Sequence, residues 1–185
     1  DSNGNCLSPW VLKVDTLGQE VARHTFPILS CKQINSITLS ADGGILFTGV
    51  TSDLPDQLAY GERAYEGDLL VGKMSTLGFR VWERCFGGNL LDMGNGISRG
   101  HLDEYIIVGM THSYDGDVGK NFGASDAWIL FINGEGKLLD SKVVGGPGHE
   151  WATDVVSCEN GDFLISGYQH VMEGIEANLY GNGWL

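Results

Sequence analysis

Three places in the chain have the residue types and spacing of known chemistry. Gly96-Ile97-Ser98-Arg99-Gly100 has the G-x-S-x-G spacing that exposes a nucleophilic serine on a strand-to-helix turn. Ser98, however, falls inside an expected strand, and the corresponding positions elsewhere are Thr38 and Val156. No serine chemistry is expected there. Gly67 to Met74 (GDLLVGKM) departs from a phosphate-binding loop at its final residue and leads into no helix. His112 and His170 occupy matching places, each where an apolar strand runs into a polar loop. On neighbouring units they stand too far apart to ligate one metal, so strand-end polar residues are the expectation.

The polar loops carry more. Residues 53–68 hold five acids and one Arg, 113–126 three acids and one Lys, and 171–183 two acids. Together they account for eight of the thirteen net negative charges. Asp115, Asp117 and Asp126 supply hard oxygen ligands of the kind Ca²⁺ takes, against the alternative of an ordinary Asp/Gly turn. No other cofactor is expected. Tyr60, Tyr65, Tyr114, Phe122, Trp151 and Tyr180 lie in or beside the same loops, with His112, His149, Glu150 and His170 close by in sequence. Acidic loops with exposed rings suit stacking on sugars or gripping a basic peptide.

The elements that position these loops repeat. Gly18, Gly78 and Gly136 correspond, as do Gly49, Gly109 and Gly167, with spacings of 60 and then 58 residues. Thr16-Leu17-Gly18 matches Thr76-Leu77-Gly78, and Gly87-Gly88 matches Gly145-Gly146. A fixed period with matching glycines is the mark of a repeat architecture. Each unit reads as four short strands: WVLKVD from Trp10 alternates apolar and polar, while ILFTGVT from Ile45 and YIIVGMT from Tyr105 are nearly all apolar. In the third unit the strands are expected at 127–132, 138–144, 153–158 and 163–169. No stretch sustains a helical apolar stripe. Four strands per unit of about 56–60 residues is the pattern of a β-propeller blade, whose two apolar faces are hidden only by stacking on neighbours. The expected fold is all-β across 1–185, with units 10–69, 70–127 and 128–183.

The run D-A-W-I-L-F-I-N-G-E-G-K-L-L-D-S-K-V-V-G-G from Asp126, then C-E-N-G-D-F-L-I-S-G-Y from Cys158, resembles secreted bacterial β-propeller repeat proteins, as does the loop SYDGDVGKNFGASDAW at 113–128. The resemblance covers nearly the whole chain and is weakest in the first unit, where Phe26-Pro27-Ile28 replaces the Gly-Gly corner. It implies fold and export to the periplasm or cell surface of a bacterium, and carries over no catalytic residue. The blade order it implies starts this chain on strands three and four of one blade and ends it on strands one and two of another. It also gathers the acidic loops and the Gly-Gly corners on one rim. Three units do not close a ring, since closed propellers have about four to eight blades. A piece of a six- to eight-bladed ring is therefore expected, ahead of a half-ring closed by a second copy.

Composition sets the outer bounds. Net charge is −13, with 24 acidic and 11 basic residues, which argues against nucleic acid and against an anionic membrane surface. No apolar run is long enough to span a bilayer. The chain opens at Asp1, so a removed leader or a longer parent is expected. Cys6, Cys31, Cys85 and Cys158 show no zinc spacing and leave the disulfide state open. The function expected is a non-enzymatic binding or scaffolding module of an exported or surface protein. Its partner, a protein or a glycan, would meet the loop rim. A polysaccharide-acting enzyme with two rim carboxylates about 5–10 Å apart, and a structural spacer in a large adhesin, are the alternatives.

Overall fold

The computed structural model of the chain describes residues 9–25, 31–52 and 67–170, except the side chains of residues 31, 32, 52 and 170. Twelve strands follow in order: β1 (Trp10–Val14), β2 (Glu20–Thr25), β3 (Cys31–Leu39), β4 (Ile45–Ser52), β5 (Leu69–Met74), β6 (Arg80–Phe86), β7 (Asp92–Arg99), β8 (Glu104–Thr111), β9 (Asp126–Asn133), β10 (Leu138–Val144), β11 (His149–Ser157) and β12 (Phe163–His170). They build two four-stranded antiparallel sheets, β3-β4-β5-β6 and β7-β8-β9-β10, and two pairs, β1-β2 and β11-β12. Inside each sheet every strand pairs with its neighbour in sequence. Among the described residues there is no helix, and the sheets do not close a ring. The expected all-β chain with four-stranded units is what the structure contains.

Each repeated glycine answers a specific demand. Gly18, Gly78 and Gly136 have φ of 78°, 80° and 77°, the left-handed region in which a β-carbon is strained, and they sit in the tight turns joining β1 to β2, β5 to β6 and β9 to β10. Gly49, Gly109 and Gly167 face the inner strand where its register slips, at Ile34/Ser36, Gly94/Gly96 and Ala152/Asp154. A β-carbon there would fall on the main-chain carbonyl of Gln33, Met93 or Trp151. The bulge therefore brings two backbones together, and only glycine fits between them.

The same bulges set two boundaries. Strand β11 begins at His149 rather than Thr153, and its repeat equivalent β7 begins at Asp92, likewise ahead of its bulge. An extra residue breaks the apolar–polar alternation, so the sequence pattern starts only beyond it.

The core lies between stacked sheets. Strand β8 supplies both of its faces: Tyr105 and Ile107 point toward β3–β6, while Ile106 and Val108 point toward β11–β12. That two-sided burial explains the near-continuous apolar run. On one side Trp128, Leu130 and Ile132 join Leu46, Leu69 and Val71. On the other, Ala127 and Ile129 meet Ala152, Val155 and Ile165. Each fully buried side chain of this size contributes about 2 kcal/mol. Polar bolts set the stacking: Asn35 Nδ2 donates to Gly94 O at 2.9 Å, and its repeat equivalent Asn95 donates to Ala152 O at 2.8 Å. Tyr105 Oη donates to Asp103 Oδ1 and accepts from Ala41 N in the β3–β4 turn.

Candidate functional site

Among the described residues, the strand ends that carry candidate residues emerge together. Thr111, the last residue of β8, pairs with Asp126, the first of β9, and with Asp92, the first of β7. His149 opens β11 opposite His170, the end of β12, and bridges to Ser125. The 112–125 loop and the corners 87–91 and 145–148 therefore share one edge of the sheets.

The corner at Gly87-Gly88-Asn89 turns three successive amides onto three aspartates. Gly87 N donates to Asp117 Oδ2 at 3.2 Å, Gly88 N to Asp92 Oδ2 at 2.8 Å and Asn89 N to Asp115 Oδ1 at 2.9 Å. Asn89 Nδ2 also donates to Asp115 Oδ2. Asp115 and Asp117 thus serve as backbone acceptors that staple the loop to the corner. Asp126 belongs to the other corner. The three residues expected to bind calcium are not gathered, and no group of three or more metal-ligating side chains occurs among the described residues.

Beneath each corner lies a pair of acids. At the second corner, a β-carbon on Gly145 would fall on Asp126 Oδ1 and 2.7 Å from Glu150 Oε2. Asp126 is fully buried and accepts from Phe122 N at 2.5 Å, while Glu150 accepts from Gly146 N at 2.8 Å. At the first corner, a β-carbon on Gly87 would lie 2.5 Å from Asp68 Oδ1 and 2.6 Å from Asp92 Oδ2. Asp92 is fully buried and also accepts from Ser113 Oγ at 2.8 Å. The pairs are repeat equivalents: 58 residues separate Asp68 from Asp126 and Asp92 from Glu150.

Two carboxylates that face one another lack a donor unless one keeps its proton. Asp92 Oδ1 and Asp126 Oδ1 are buried without a hydrogen-bond partner. Burial holds both carboxyls above the usual carboxylate range, and at Asp126 the neighbouring Glu150 adds to the rise. A proton kept on Asp126 would supply the missing donor. Residue types alone did not reveal these pairs. Their signal was the 58-residue offset, which sets an acid at the same two places around each Gly-Gly corner.

The expected rim residues meet different fates. Tyr114 and Phe122 are 67% and 47% exposed on the loop, with Lys120 Nζ 4.4 Å from the Phe122 ring centre. Trp151 is 39% exposed, yet its Nε1 donates to Ser125 Oγ at 2.9 Å, and that hydroxyl lies 2.9 Å from His149 Nδ1. Trp151 and His149 so fasten the loop to β11. His112 is half-buried, and burial lowers its pKa toward the neutral imidazole. The His170 side chain, Tyr60, Tyr65 and Tyr180 lie outside the described residues. No family model matches the chain, and no curated protein matches it.

Proposed function

We propose that the chain is a run of β-propeller blades, similar to secreted bacterial β-propeller repeat proteins, serving as a non-enzymatic binding or scaffolding module of an exported or surface protein. The sheets run in sequence order and stack face to face, as blades do. The observation that carries the binding role is the 112–125 loop. Buried acids and corner amides pin its base, while Tyr114 and Phe122 stand exposed above it. A preorganised loop loses little entropy on binding, and its rings offer stacking area. Around them Asp115 and Asp117 favour a cationic partner, so a basic protein segment suits the rim better than a neutral glycan. The acid pairs are directed at backbone amides rather than into an open cleft, which favours binding over hydrolysis.

The test is a fluorescence titration with a lysine-rich peptide and, separately, with a neutral β-glucan oligosaccharide. Saturable binding of the peptide, weakened about tenfold by Tyr114→Ala or Phe122→Ala, is the expected result, equivalent to about 1.4 kcal/mol. Tight oligosaccharide binding would make the partner a glycan. Binding of either probe unaffected by both substitutions would overturn the rim as the site.

A further inference from the structure

We propose that the exposed face of Phe122 is a seat for a lysine ammonium of the partner, and that Lys120 of the chain itself occupies this seat until the partner displaces it. The proposal rests on the rim-binding reading above and names the group the rim takes. Lys120 Nζ lies 4.4 Å from the centre of the Phe122 ring, and that ring is 47% exposed. An ammonium at this distance is drawn to the negative face of the ring. The loop therefore already displays the contact that a basic partner would make.

Two comparisons single the pair out. Lys73 and Lys142 reach carboxylates, Asp42 at 2.8 Å and Asp140 at 3.4 Å. Lys120 lies over a ring instead, although its own loop carries Asp115 and Asp117. Those two carboxylates are engaged by the amides of Asn89 and Gly87. Arg23 also lies over Trp10, at 5.0 Å, and Arg84 over Trp82, at 5.8 Å, but these residues belong to β1, β2 and β6. Among the described residues, the contact carried by the 112–125 loop is that of Lys120, and it is the shortest of the three.

The backbone fixes where both side chains start. Val118 is buried in the core, and its carbonyl accepts from Lys120 N at 2.9 Å. Asn121, between the pair, donates from Nδ2 to Thr111 O at 3.3 Å and accepts from Gly123 N at 2.8 Å. Phe122 N is held by Asp126, and a β-carbon on Gly123 would fall 2.1 Å from Gly146 O of the corner. Only side-chain torsions therefore separate the covered ring from the open one. An exposed contact of this kind is weak, so one ammonium replaces another at little net cost, whereas a neutral group forfeits the attraction. Lys120 lowers the apparent affinity by the fraction of chains in which it covers the ring.

The experiment is a titration of the lysine-rich peptide into the wild type, Lys120→Gln, Phe122→Leu and the double variant. Lys120→Gln removes the resident ammonium and is expected to tighten binding about two- to fivefold, the size of an exposed cation–π contact. With Phe122→Leu in place the gain should shrink to the effect of one lost positive charge, because there is no ring to vacate. Carbon–proton NMR of the unbound wild type reads the seat directly. The Lys120 ε-methylene protons should be shifted upfield by the ring, and should return to the free-lysine position in Phe122→Leu and on addition of the peptide. An unshifted ε-methylene, or the same gain with and without the ring, would overturn the proposal, and the rim reading would stand as long as the wild type binds the peptide. Failure of all these chains to bind the peptide would sink the rim reading and the seat with it.

Discussion

Asp126 accepts from the Phe122 amide with one oxygen and faces Glu150 with the other, so its protonation sets how firmly the loop base is held. The direction with pH follows from burial. A carboxyl raised by folding stabilises fully below its unfolded pKa of about 4 and loses that contribution as pH rises through its folded value. Asp92 and Asp126 are both raised, so both corners hold best in acid and weaken toward neutrality. Asp126→Asn keeps an acceptor for Phe122 and gives Glu150 a permanent donor. We expect it to match or exceed the wild type at neutral pH and to flatten the slope, whereas Asp126→Ala loses about 1–3 kcal/mol by stranding Glu150 and the Phe122 amide. Urea denaturation at pH 5 and pH 8 reads both, and an Asn variant as damaged as the Ala one would refute a proton held on Asp126. Asp115, Asp117 and Asp126 were legible as acids near a loop, and their chemistry was not. Which amide or carboxyl each one meets depends on which corner folds over it, and that is a tertiary fact.

The sheets were the most legible level, because turns and bulges impose glycine at fixed distances. Gly78 and Gly109 could be aligned with their counterparts before any strand was placed, since each answers a backbone demand that recurs in every unit. Strand starts at Asp92 and His149 were not legible, because the bulges interrupt alternation there. The two glycine classes also predict different costs. Gly109→Ala drives a β-carbon onto the Met93 carbonyl and should cost about 3 kcal/mol, the upper end for overpacking. Gly119→Ala, at φ 74° on the exposed loop with nothing near its β-carbon, pays only the left-handed conformation, about 1 kcal/mol. Equal losses in denaturant melts would mean that the bulge yields more easily than its geometry implies. Tyr105 adds a pH marker at this scale: burial and Asp103 push its phenol up to about 12.

At the scale of the molecule, stacked sheets hold one edge fixed and present loops along it, which is how rigid β scaffolds carry recognition. The blade order that the resemblance implies places those loops on one edge, and the 112–125 loop and both corners do share one. What the chain binds was not legible, because exposed rings and acids specify a chemistry without naming a molecule. The proposed binding role requires a rim that is ordered before any partner arrives. Hydrogen exchange at the amides of Gly88, Phe122 and Gly146 tests this most directly, since each donates to a buried carboxyl. We predict protection comparable to that of the β8 and β9 ladders, with Phe122 losing it in Asp126→Ala while those ladders keep theirs. Exchange of the three amides at the rate of an unstructured peptide in the wild type would contradict a preformed rim.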